Sequence, residues 1–386
     1  MRHPLPRGAM LAILCVLPLC FGAALAEQGV SDATIVIGMS TPLHGVYASA
    51  GQDMRDAIRA SFNQVNAEGG IHGRKLELDS FDDDGEPSRM VANTKTLLSD
   101  HHAFALIGYY GDAPTAAALP LIVSARIPLI GAVSGADGLR DPVNRYLFNV
   151  RASYKDEIAA MVAQLISLKL TRIAVFCTND ALGKSNTDNV IATLKKYKLA
   201  PVGIVTVEPH EDYSSDVNVT AATASLAKLQ PQAVLLLTQH KAAAELVLKM
   251  KSAGAFPQYA ALSTVGSDQL MQLLGGAGRG IGVSQVMPYP WDDTVQVVRE
   301  YQRLLKADDN GAIFSYSSME GYVMARVLIE GLKKSGKDLT REKLVDVLNS
   351  LDFNPGGYRI YFSSANHSGS TFVELTVTGQ GNRLLR

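Results

Sequence analysis

The residues of this chain best placed for chemistry lie in two short turns, Gly111-Asp112-Ala113 and Val133-Ser134-Gly135-Ala136. Each follows a short apolar run and precedes the start of a helix. Ala103 to Ile107 reads as a buried strand ending at Gly108. Asp112 stands where a helix N-cap belongs, and Pro114 follows near the first helical position, where a missing N–H costs nothing. The helix is expected to run to about Ala125, with Pro120 kinking it. Ile127 to Ile130 reads as a second buried strand. Two strand-to-helix turns side by side in a parallel sheet would aim free backbone N–H groups at one crevice, a ready site for an anion such as a ligand carboxylate. Tyr47 and Tyr109, also on the C-terminal side of strands, are expected to line the same cleft.

Other motifs carry less. Gly183-Lys184-Ser185 has the end of a phosphate-binding loop, but the required earlier glycine is Thr178. Asp82-Asp83-Asp84-Gly85 lacks a glutamate at the EF-hand spacing and reads as a solvated loop. Adjacent His101 and His102 cannot share a helix face and read as surface residues. No nucleophile elbow, zinc-protease helix or paired-carboxylate motif is present. Trp291 and Tyr289 lie in a Pro-flanked loop and either line the cleft or pack at a hinge.

Arg2 and Arg7 precede an apolar run from Ala9 to Leu25 that closes with Ala24-Leu25-Ala26, the pattern of a secretory leader cut after Ala26. Pro18 interrupts the run, which is short for a membrane anchor. Leu14 before Cys15 and Leu19 before Cys20 argue against lipidation. Only Cys177 would remain, in an apolar run, so no internal disulfide is expected and the thiol reads as buried and structural. The whole chain has 36 basic and 37 acidic residues; removing Arg2 and Arg7 leaves 34 against 37, a formal charge of about −3. With no arginine-rich stripe, nucleic acid is not an expected partner. The 360 residues after the leader exceed one ordinary core.

The elements that must position the turns alternate. A strand at 33–39 leads through the loop 40–51 into a helix with Met54, Ile58, Phe62 and Val65 on one face. A strand at 75–81 and a helix at 88–100 precede the central stretch. After a strand at 146–150 the alternation restarts: helix 155–169, strand 171–177, helix 183–197, strand 201–207, helix 217–229, strand 232–237, helix 241–253 and strand 258–262. The pattern predicts an α/β chain with two doubly wound, Rossmann-like lobes joined by a hinge.

Ile37-Gly38-Met39-Ser40-Thr41-Pro42-Leu43, Asn66 through Lys75, Asp82-Asp83, Gly108-Tyr109-Tyr110-Gly111, Ser134-Gly135-Ala136, Arg151-Ala152-Ser153-Tyr154 and Asn179-Asp180 with Gly183 occur in order. Together they resemble the type I periplasmic binding proteins of ABC importers, in the leucine/isoleucine/valine-binding group. The resemblance implies three crossovers, near 148–151, 283–288 and 355–359. Lobe one would be 27–148 plus 284–355, and lobe two 149–283 plus 356–386. It implies a ligand carboxylate held by Gly111, Asp112, Ala113, Ser134, Gly135 and Ala136, with Tyr154 and a group near Asp180 approaching from the second lobe. Gln239 and Val265 lie in further second-lobe loops. Relatives commonly carry Thr or Ser where this chain has Asp112, and an ionised aspartate repels a carboxylate. Either Asp112 caps its helix, or it takes a ligand ammonium, or the ligand is not a simple amino acid.

The implied function is a periplasmic, monomeric solute-binding protein. It would need no cofactor and perform no chemistry, closing on a small carboxylate-bearing molecule and delivering it to a membrane permease. Branched-chain amino acids and aromatic or aliphatic acids are the expected ligands, at micromolar affinity or tighter, about −8 kcal/mol. The alternative is a ligand sensor of the same fold that engages a regulator or receptor.

Overall fold

The computed structural model describes residues 27–209, 219–308, 313–379 and 384–386; the expected leader and its cut lie outside them, as do Cys15, Cys20 and the first residues of the helix expected at 217–229. The chain begins β1 (Thr34–Thr41), α1 (Ala48–Ala67), β2 (Lys75–Asp82), α2 (Pro87–Ser99), β3 (Ala105–Tyr110), α3 (Asp112–Ser124), β4 (Leu129–Val133) and β5 (Leu147–Phe148). The five strands form one parallel sheet in the order β2-β1-β3-β4-β5. It continues with α4 (Tyr154–Ser167), β6 (Ile173–Thr178), α5 (Ala181–Lys196), β7 (Gly203–Val207), α6 (Thr220–Leu229), β8 (Ala233–Leu237), α7 (His240–Ser252), β9 (Gln258–Ala261), α8 (Ser267–Leu274) and β10 (Gly282–Gln285). The remaining elements are α9 (Gln296–Ala307), α10 (Tyr316–Ser335), α11 (Arg341–Leu348), β11 (Asp352–Phe353), β12 (Ile360–Tyr361), β13 (Glu374–Thr378) and β14 (Leu384–Leu385). The second sheet runs β14-β13-β10-β9-β8-β6-β7, parallel except for its last two strands in chain order.

Local chemistry accounts for most of these elements. Met54, Ile58, Phe62 and Val65 of α1 are buried, as their spacing predicts. Ser153 and Asp156 close a reciprocal capping box at the start of α4, and Ser315 and Ser318 do the same for α10. The buried runs IAVFC of β6 and AVLLL of β8 are apolar throughout because helices cover both faces of their sheet. Cys177 is buried with its thiol beside the Thr187 hydroxyl, a packing role.

The chain passes between the lobes after β5, after β10 and before β13. Two expected boundaries shift. Ser284 and Gln285 sit on β10 in the second sheet, hydrogen-bonded to β13, and not in lobe one. Ile360 and Phe362 pack in the first lobe's core, so the third crossing follows residue 362 and is not at 355–359. The short β11–β12 hairpin delays it, too brief a pair of strands for a periodic signal. Tyr358 ties the crossings together: its hydroxyl lies 2.9 Å from the carbonyls of both Val150 and Val286.

Asp83, just past β2, is fully buried and takes hydrogen bonds from the Ser40 hydroxyl at 2.7 Å and the Gly85 N–H at 2.9 Å. Burial, opposed by those bonds, pushes its carboxyl up to about 6. A carboxyl raised on folding keeps its proton where the unfolded chain has lost it, so its contribution to stability falls as pH rises from 3.8 through about 6. Between about pH 5 and pH 7 that loss is roughly 1 kcal/mol. Asp83→Asn is therefore expected to reduce the stability difference between those two conditions, measured by urea unfolding. An unchanged difference would show that Asp83 titrates normally.

Candidate ligand site between the lobes

The C-terminal ends of β3 and β4 deliver the two turns to the face where the lobes meet. Gly111, with φ 98°, makes the sharp exit from β3 that a residue bearing a Cβ resists. It occupies the N-cap position, so Asp112 is the first helical residue of α3 and does not cap it. The carboxylate instead accepts from the Ser134 hydroxyl at the end of β4. It also accepts from Tyr154 of the second lobe, whose hydroxyl is 2.9 Å from Oδ2 and 3.1 Å from Oδ1. Thr264 donates in turn to the Tyr154 oxygen at 3.0 Å. Gly135 lets the tyrosine ring lie directly on the turn, since a Cβ there would fall 2.3 Å from a ring carbon. Burial pushes the Asp112 carboxyl above its usual value, against the pull of Ser134, Tyr154 and the charges of Arg151 and Arg140.

Below this contact lies an ionic group that joins the lobes. Arg151, on the first crossing, has a side chain only 2% exposed and lies 3.6 Å from both Glu157 of α4 and Glu320 of α10. Its guanidinium also donates to the Ser263 hydroxyl. Burial works against its charge, but Glu320 and Glu157 outweigh it and hold the guanidinium above its usual value. Glu157 is fully satisfied, accepting from Ser263 N–H at 2.8 Å, Ser263 Oγ at 3.1 Å and Ser284 Oγ at 2.6 Å. Glu320 is less so: its Oε1 is buried without a hydrogen bond, and burial raises its carboxyl. Arg140 donates to the carbonyls of Ser134 at 2.8 Å and Ala152 at 3.3 Å, and burial lowers it to about 10.

An aromatic wall stands beside this polar centre. The Tyr47 ring is 5.5 Å from that of Tyr110 and meets the His240 ring edge-on at 5.7 Å. The Tyr47 hydroxyl donates to Gln239 Oε1 across the cleft at 2.5 Å. Burial and Lys241 bring His240 down to about 4, which keeps it neutral near pH 7. Further along the cleft, Asp137 accepts from Ser185 at 3.0 Å and Asn189 at 2.7 Å, both on α5. Gln269 donates to the Val46 carbonyl at 3.0 Å. These contacts describe a closed arrangement of the lobes.

The geometry gathers Tyr47, Gly111, Asp112, Ser134, Gly135, Tyr154 and Gln239, and departs from expectation elsewhere. Tyr109 is fully buried in the first core with its hydroxyl on Thr94 at 2.9 Å. Side chains alternate along a strand, so Tyr110 points to the cleft instead. Asp180 caps α5, its carboxylate taken up by the Gly183 N–H at 2.7 Å and the Thr178 hydroxyl at 2.9 Å. Val265 is a core residue of the second lobe, and its neighbour Thr264 makes the contact. Asp112 is no cap. Ala113 is exposed on the first turn of α3, and the Ala136 N–H is engaged by Ser134 Oγ at 3.1 Å. Trp291 and Tyr289 pack with Tyr316, their rings 5.0 to 6.3 Å apart. Sequence reasoning gave no site role to Tyr110, Arg140, Arg151, His240 or Glu320. Tyr110 was open to a count of strand alternation; Glu320 was signalled only as an acid within a largely apolar helix. Among the described residues no cluster of three or more His, Cys, Asp or Glu is placed to hold a metal.

Two α/β lobes crossed three times by the chain, with polar side chains from both meeting at the C-terminal ends of parallel strands, define a two-lobed solute-binding architecture. A family model described as periplasmic binding protein matches residues 34–379, and the chain belongs to that family, in its type I, Leu/Ile/Val-binding-like group. It is 24% identical over 322 residues to an amino acid binding protein of Pseudomonas aeruginosa, covering 80% of this chain and 83% of the relative. A solved structure of a possible leucine/isoleucine/valine-binding protein from Rhodopirellula baltica superimposes with a TM-score of 0.81 at 26% identity, covering 92% of this chain and 97% of the other. A substrate-binding periplasmic protein from Ralstonia solanacearum gives 0.80 at 29% identity, covering 91% and 99%. The family is made up of substrate-binding proteins and not of enzymes. Among the described residues, no helix is long and apolar enough to cross a membrane.

Proposed function

We propose that this chain is exported by a leader cut after Ala26, captures a small, partly apolar molecule between its lobes, and presents the closed form to an ABC permease. The observation that carries this reading is the pair of cross-cleft contacts Tyr154–Asp112 and Tyr47–Gln239, through which the two lobes approach at the turns following their parallel strands. Closure about three crossing segments is a hinge motion, and a ligand bridging both lobes stabilises the closed form by its differential affinity for it. Amino acids are the first ligands to try, because the Pseudomonas aeruginosa and Rhodopirellula baltica proteins named above carry that description.

The test is a thermal-shift screen of residues 27–386 against amino acids, small acids, amines and amides, followed by small-angle scattering with each hit. A ligand at a hundredfold excess over its Kd adds about 2.7 kcal/mol of stability and should raise the melting temperature visibly. A hit is expected to reduce the radius of gyration as well. A screen with no stabilising compound, or hits that leave the radius unchanged, would count against capture by closure.

A further inference from the structure

We infer that the Asp112 pole of this site takes a protonated amine of the ligand and not a ligand carboxylate, with the rings of Tyr47 and Tyr110 beside it. This rests on the capture reading and specifies the polarity of what is captured.

A carboxylate bound at the two turns would need donors, and the side-chain donors there are the hydroxyls of Ser134 and Tyr154. Each has one proton, and both are directed at Asp112. The Thr264 proton is given to Tyr154, and the Ala136 N–H to Ser134. The protein's own carboxylate thus uses the hydroxyl donors that an incoming one would require. Asp112 itself is an acceptor with about four lone-pair positions, and two hydroxyl protons leave capacity for a further donor.

Charge points the same way. Asp112 is partly buried, and a carboxylate drawn away from water is ordinarily paired with a cation. Among the described residues no Lys or Arg forms an ion pair with Asp112: Arg151 is committed to Glu157 and Glu320, and Arg140 to the carbonyls of Ser134 and Ala152. The charged groups acting on the Tyr154 hydroxyl are one cation, Arg151, and two carboxylates, Asp112 and Glu157. Bringing in another anion would enlarge that surplus, whereas an ammonium reduces it. Tyr110 ends β3 two residues before Asp112, in ring contact with Tyr47, and aromatic faces attract cations. The neighbouring His240 is neutral near pH 7 and adds no opposing charge.

The experiment is calorimetric titration of residues 27–386 with compounds that share a carbon skeleton and differ only in their charged ends. One set is isoamylamine, isocaproate and leucine; the other is phenethylamine, hydrocinnamate and phenylalanine. The expected result is binding by amines or zwitterions and none by the two amine-free acids. Asp112→Asn, which keeps the size and the acceptor for Tyr154, is expected to weaken those ligands about 100-fold. Asp112→Ser, which frees donors at the turn, is expected to bring the amine-free acids into the binding range. Circular dichroism of both variants establishes that they fold, and the wild-type comparison of acid with amine stands without them. Amine-free acids binding as tightly as the zwitterions would overturn the inference and leave capture standing. So would zwitterion affinity unchanged in a folded Asp112→Asn. Silence across both sets would instead count against capture of ligands of this size.

Discussion

Arg151→Met is expected to destabilise the chain by about 3–5 kcal/mol, because it leaves two buried carboxylates without their shared cation. Glu157 reaches Arg151 from α4 in the second lobe and Glu320 from α10 in the first, each at 3.6 Å, and both are almost fully buried. Methionine fills much of the arginine's volume, so packing is approximately kept while the charge is lost. For about 360 residues, with an unfolding entropy of roughly 2.1 cal/mol/K per residue, that corresponds to a fall in melting temperature of roughly 4–7 °C in scanning calorimetry. The loss should shrink on acidification. Without Arg151 the Glu320 carboxyl, already raised by burial, moves further above its unfolded value, so the variant recovers stability as pH falls through it. Adding Glu320→Gln to Arg151→Met should restore part of the loss by removing one orphaned charge. A single variant melting within about 2 °C of the parent would mean that Arg151 is not the ionic link between the lobes.

Gly321→Val should be the second large effect, and it acts purely through packing. Gly321 lies in α10 where that helix crosses α1, and a Cβ there would fall 2.5 Å from the Met54 carbonyl oxygen and 3.0 Å from its Cα. These are backbone atoms of a buried helix and cannot swing away as a side-chain tip would. Overpacking of this kind costs about 1–3 kcal/mol for small additions and more for larger ones. Alanine recovers up to about 1 kcal/mol through helix propensity and should sit at the low end. Valine brings two further methyl groups into the same gap and should exceed it. Gly276→Ala, where nothing lies within 4 Å of an added Cβ, is the control and should stay within about 0.5 kcal/mol. Equal melting temperatures for Gly321→Val and Gly276→Ala would mean that α1 and α10 can separate without cost.

Much of this protein follows from local rules and is legible in the order of its residues. The runs at β6 and β8 are apolar because their sheet is covered on both faces, and Met54, Ile58, Phe62 and Val65 recur at helical spacing because α1 has one buried side. The two strand-to-helix turns could be placed because glycine, a short polar residue and proline each have a local conformational reason to be there. Local rules also misled at particular residues. Asp112 has the right type for a cap, yet Gly111 turns the chain one residue earlier and frees the carboxylate for Ser134 and Tyr154. Tyr109 and Tyr110 are adjacent, and only the register of β3 decides which one faces the cleft. What tertiary structure alone decided is partnership across the lobes. Tyr47 and Gln239 are 192 residues apart, and Arg151 meets Glu320 on a helix contributed by the chain's return to the first lobe. Such pairs depend on where the chain crosses between two separately wound sheets, and side-chain periodicity within either sheet carries no record of it.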